Sequence, residues 1–137
     1  DVYKRQGERW GLSANLCRQG SLFADRCEYP AAWQAYREAF EIACAENLPA
    51  ETLDVVIGVA GLLVDEQPQT AQELLSFCLS QPATSMPARE TAIRLQAGLE
   101  DWLPEVDFAT SGRRGRDLDF ETAVAQVDAL IAGHLPA

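Results

Sequence analysis

Apolar positions recur at three- and four-residue steps along most of the chain, the spacing of one helix face. Between Trp10 and Asp25, Leu12, Leu16, Gln19/Gly20 and Phe23 fall on one side. Cys27-Glu28-Tyr29-Pro30 interrupts the pattern. Proline is tolerated in the first turn of a helix, where its missing N–H would have no intrahelical partner. A second helix is therefore expected from about Pro30 to Ala45, with Ala32, Tyr36, Ala39, Phe40 and Ala43 facing inward. Asn47-Leu48-Pro49 ends it.

The next pair spans Glu51 to Asp65 and Pro68 to Ser80, divided by Glu66-Gln67-Pro68. Its first member is ambiguous. Val55-Val56-Ile57 favours strand by propensity. The run is too long for an ordinary strand and lacks period-two alternation, so it is read as helix. Gln81 to Pro87 is read as a loop in which Ser85 can cap the following helix, with Pro87 in its first turn. That helix carries Ala88, Thr91/Ala92, Leu95, Leu99 and Trp102/Leu103 and stops before Pro104. A short helix is expected over 105–110, a loop over Ser111-Gly112-Arg113-Arg114-Gly115, and a last helix from Asp119 to Leu135. Asp119 and Glu121 suit its positive N-terminal end. The fold class expected is all-α.

Composition narrows the function classes. The chain has 137 residues, 47% hydrophobic and 23% charged, ordinary usage for one folded domain. Its formal net charge of −10 repels phosphate backbones and anionic lipid heads, so neither nucleic acid nor a membrane is expected as a partner. Arg113, Arg114 and Arg116 form the only basic cluster and read as a solvated turn. The most apolar stretch, Val55 to Val64, is too short to span a bilayer.

Candidate chemistry is sparse. Cys17, Cys27, Cys44 and Cys78 fit no zinc spacing, and the single His134 cannot complete a metal cluster. The four thiols are read as small apolar fillers, reduced in a cytoplasmic setting. Gly112-Arg113-Arg114-Gly115 lacks the Gly-Lys-Ser/Thr ending of a phosphate loop, and one histidine supports no Ser-His-Asp arrangement. No cofactor, metal or catalytic residue is expected. The opening Asp1-Val2-Tyr3-Lys4-Arg5-Gln6 resembles a translated sequencing-library adapter, although a natural helix lead-in would read the same way.

Small and aromatic residues share a register. Gly20, Phe23, Ala32, Tyr36 and Ala39 recur in the order of a tetratricopeptide repeat, with Tyr29 between the two helices. Ala71, Leu75 and Cys78 repeat the second-helix pattern, 39 positions from Ala32 to Ala71. Val59 stands where a small residue belongs, flanked by Gly58 and Gly61. The tail adds Leu103-Pro104-Glu105-Val106 and Gly115-Arg116-Asp117-Leu118-Asp119. Together these segments resemble the C-terminal tetratricopeptide region of large bacterial signalling proteins, in which an AAA- or NB-ARC-type ATPase, with or without a cyclase or kinase, precedes the repeats.

The resemblance implies an α-solenoid with two helix pairs over 7–81 and a C-terminal helical cap over 82–137. It implies a non-enzymatic scaffold that binds a protein partner or other domains of the same parent chain. The concave face would carry Ala14, Cys17, Ser21 and Asp25 from the first pair and Leu53, Val56, Ala60 and Val64 from the second. The bland alternative is that these residues only pack on neighbouring helices. The other function kept open is a self-contained helical bundle that binds a small ligand or acts as an enzyme.

Overall fold

The computed structural model describes residues 2–136; Asp1, the first of the six adapter-like residues, lies outside them, as does Ala137. Among the described residues there are seven helices and no strand: α1 Val2–Asp25, α2 Tyr29–Ala45, α3 Pro49–Leu63, α4 Pro68–Ser80, α5 Met86–Trp102, α6 Glu105–Asp117 and α7 Phe120–His134. The protein is all-α, as its periodicity implied.

Local chemistry sets the boundaries. Cys27 and Asn47 take left-handed backbone angles, φ 58° and 53°. At the end of α1 the Glu28 N–H donates to the Phe23 carbonyl at 2.9 Å and the Cys27 N–H to Ala24 at 3.0 Å. At the end of α2 the Leu48 N–H donates to Ala43 at 2.8 Å and the Asn47 N–H to Cys44 at 3.3 Å. These paired bonds satisfy the last carbonyls of each helix. Cys27 is thus an exposed turn residue and not a helical filler. The end of α4 uses side chains instead: the Arg89 guanidinium donates to the carbonyls of Leu79 at 3.0 Å, Gln81 at 2.6 Å and Thr84 at 3.2 Å. Ser85 caps α5 through the Ala88 N–H at 3.3 Å, and Asp119 caps α7 through the Thr122 N–H at 2.7 Å. The latter bond holds the Asp119 carboxyl below its ordinary range.

Packing follows chain order at first and then departs from it. α1 packs on α2, α2 on α3 and α3 on α4, while α1, α3 and α5 also touch in sequence. α3 meets α1, α2, α4, α5 and α7, so it is covered on most sides. This explains why Val55-Val56-Ile57 is helical despite its propensity. A helix buried nearly all round needs no polar face, and tertiary packing overrides local preference. Leu53, Val55, Val56, Val59, Ala60 and Leu63 are all within the core.

The repeat-register residues Ala32, Tyr36, Ala39, Ala71, Leu75 and Cys78 are buried, whereas Phe23 is half-buried and Tyr29 is exposed. In α1 the inward side is carried by Ser13, Leu16, Cys17 and Gly20. Leu12, expected on that side, is exposed. Buried Ser13 donates its hydroxyl to the Ala39 carbonyl at 3.1 Å, tying α1 to α2.

The segment 111–115 corrects the expected loop: it is the second half of α6. Ser111, Gly112 and Gly115 are buried, and α6 packs on α4 more closely than on its chain neighbour α5. A Cβ at Gly115 would press into the Glu73 carbonyl, whose carbon would be only 2.9 Å away. The two glycines read as helix breakers, yet Gly115 is where two helix backbones meet and Gly112 makes room for the Gln72 and Ser76 side chains of α4. α7 then turns back over α2 and α3. Its His134 ring stacks on Trp33 with centroids 4.0 Å apart and planes 10° from parallel, and its Phe120 ring lies 6.0 Å from Phe77.

Candidate functional site

A groove of about 640 Å³ runs between α1, α3 and α5, with Tyr36 of α2 beneath it. Its existence follows from side-chain size. α1 presents Ala14, Cys17 and Ser21, α3 presents Gly58 and Gly61, and α5 presents Ala88 and Thr91. Small residues at helical spacing leave a trough where three helices would otherwise close over one another. Ile57, Leu62 and Leu95 add apolar wall; Arg18, Asp25, Asp54 and Arg94 add charge.

Tyr36 is the pivot of the site. Its ring is held between two glycines: a Cβ added at Gly20 would come within 2.7 Å of it, and one at Gly58 within 2.6 Å. Neither helix could approach so closely with a side chain there. Tyr36 is 3% exposed, and burial raises its pKa well above the ordinary tyrosine range. The Cys17 thiol is likewise pushed up to about 12, first by burial and then by the negative charge of Asp54. At such a value the sulfur is a neutral thiol, which is the unreactive form.

Asp54 is the unusual group. It sits on α3 one turn before Gly58 and two before Gly61, and its carboxylate is partly buried in the groove. Burial, with a further push from Glu51, raises it to about 6. Among the described residues it has no ion pair and no side-chain hydrogen bond. The nearby arginines are engaged elsewhere: Arg18 donates to the Asn15 side chain at 2.8 Å and Arg94 to the Thr91 hydroxyl at 3.4 Å. Glu51 itself accepts from the Trp10 indole N–H.

The expected concave set divides. Ala14, Cys17, Ser21 and Asp25 all line the groove. Leu53, Val56 and Ala60 do not: they are buried at 0%, 1% and 0% exposure and offer nothing to a partner. Val64 is half-buried against the core. The face that α3 turns outward is Asp54, Ile57, Gly58 and Gly61, close to one residue on from the expected set. The register slipped because Gly58, not Val59, meets the Tyr36 ring. Asp54 was missed because a carboxylate without a partner looks like any solvated acid until its burial is known.

Among the described residues no group of three His, Cys, Asp or Glu side chains could hold a metal ion, and no helix is long and apolar enough to cross a membrane. Comparison with known proteins finds no family model, no curated protein and no solved structure that matches this chain.

Proposed function

We propose that this chain is a protein-interaction module: a short α-solenoid of tetratricopeptide-like helix pairs whose α1–α3–α5 groove receives a peptide segment of a partner. The observation that carries the reading is the groove's construction. Two of its walls are α1 and α3, the first helices of the two proposed pairs, which touch; the third is α5, and the floor is Tyr36 of α2. Stacked helix pairs build their binding surfaces in this way. Of the small residues that open the trough, Ala14, Cys17 and Ser21 on α1 are the ones the repeat register predicted, while Gly58 and Gly61 on α3 flank the register position. In this reading α5, α6 and α7 close the stack, and the module belongs to a cytoplasmic bacterial signalling protein with its effector domains elsewhere in the parent chain.

Selection of random peptides displayed on phage, against the full chain, tests the role. Gly61 is the control point, because a Cβ there would meet only Leu95, at 3.8 Å. Gly61→Leu therefore fills the trough without displacing the backbone. Enriched peptides should bind the native chain and lose about tenfold or more in affinity for Gly61→Leu, the cost of excluding a buried apolar contact. Peptides that bind both proteins equally, or a selection that enriches none, would remove the groove from the function. The groove's volume also suits a small ligand. That reading would be favoured if a metabolite, and no peptide, protected the native chain but not Gly61→Leu from thermal unfolding.

A further inference from the structure

We infer, resting on the reading of the groove as a peptide-binding surface, that the partner segment is anchored by a lysine or arginine side chain whose cationic head meets the Asp54 carboxylate. The proposal begins from a group left without a partner. A carboxylate drawn out of water is costly unless a cation or hydrogen-bond donors offset the lost hydration. Asp54 has neither among the described residues, although two arginines line the same groove. Its raised pKa is the mark of that condition, since a paired carboxylate moves the other way. An incoming ammonium or guanidinium would supply what the fold withholds.

The surroundings select the same occupant. Gly61 stands two turns after Asp54 along α3 with open space over it, so the methylene stem of a long basic side chain can lie along bare helix backbone there while its head reaches the acid. Arg18 and Arg94 on the two walls repel a cation placed beside them and attract acidic residues flanking it, while Asp25, the groove's other carboxylate, is exposed to water and gains less from a cation. The net charge of −10 draws basic segments toward the chain from a distance. The fit is therefore to a basic residue flanked by acids, and an anionic group at the floor would be repelled.

The test uses end-blocked nonapeptides in four pools, with the central residue fixed as Lys, Arg, Glu or norleucine and the others randomised, read by fluorescence polarisation on the full chain. Lys and Arg pools should bind about tenfold tighter than norleucine, the advantage of a charged hydrogen bond at a partly buried site. Asp54→Asn should erase that advantage and leave norleucine binding intact. Asp117→Asn, which removes the same charge outside the groove, should change nothing. The Lys preference should also fade as pH falls below about 6, where Asp54 takes up its proton. The charged or titratable groups around it are Cys17, Arg18 and Asp25 of α1, Tyr29 and Tyr36 of α2, Glu51 of α3, Cys78 of α4 and Arg94 of α5. Equal binding of Lys and norleucine pools, or a Lys preference that survives Asp54→Asn, overturns the cation anchor while leaving the groove as a peptide site. No binding by any pool overturns both. Circular dichroism on Asp54→Asn guards against a misfolded variant, and a pH titration of the unsubstituted chain repeats the test without mutation.

Discussion

Glycine does opposite jobs in the two halves of this molecule. In the first half Gly20 and Gly58 close on a side chain, the Tyr36 ring, and the same small-residue surface opens the groove beside it. In the second half Gly115 closes on backbone, the Glu73 carbonyl, and leaves no space at all. A ring can be displaced as a side chain, at a cost in the packing around it, but a carbonyl within a helix cannot move without its helix. One arrangement is therefore compliant and exposes a usable surface. The other is rigid and only structural.

That contrast can be broken by putting a methyl group in each place. Gly115→Ala should be the most damaging, lowering stability by about 3 kcal/mol in urea unfolding, since α6 must lift from α4 against a clash that no rotamer relieves. Gly58→Ala should cost far less, about 1 kcal/mol, because the gain in helix propensity offsets part of the strain that the Tyr36 ring absorbs. If the two variants proved equally destabilised, the distinction between ring and carbonyl would fail.

The smallest effect sharpens the comparison from the groove side. Asp54 has a folded pKa raised to about 6 from an ordinary 3.8, so the folded state holds the proton more tightly than the unfolded chain. Its contribution to stability is fully present below pH 3.8 and is lost as pH rises through about 6. Asp54→Asn should therefore raise stability at pH 7.5 by about 1 kcal/mol, discounted from the full linkage because the carboxylate is partly solvated, with no gain left near pH 4. A stabilised variant at neutral pH would mean that the unsubstituted chain gives up stability to keep a charge in its groove.

Much of this architecture was legible. Prolines 30, 68 and 87 marked where helices start, Pro49 and Pro104 marked where helices end, and Ser85 and Asp119 supplied caps that the structure uses. Proline acts through its own ring and a cap acts within three residues, so both are readable locally. The second half of α6 was not. Gly112 and Gly115 each cost about 1 kcal/mol in helix propensity, and only the docking of α4 reverses that penalty. Their three-residue spacing, which Gly58 and Gly61 share, was the available signal. The groove was half legible. Ala14, Cys17, Ser21 and Asp25 followed from the register, but a slip of about one residue on α3 moved its partner set into the core. The environment of Asp54 depends on what fails to reach it, and no spacing encodes that.

The return of α7 has a consequence for how the chain reaches its final shape. Trp33 and His134, which stack on each other, stand 101 positions apart in the sequence. The earlier pairings join helices that follow one another closely and can form as soon as they emerge from a ribosome. Closing a loop of that length is slower than zipping up neighbours. The Trp33 face must therefore wait, open to water, until α7 has been made.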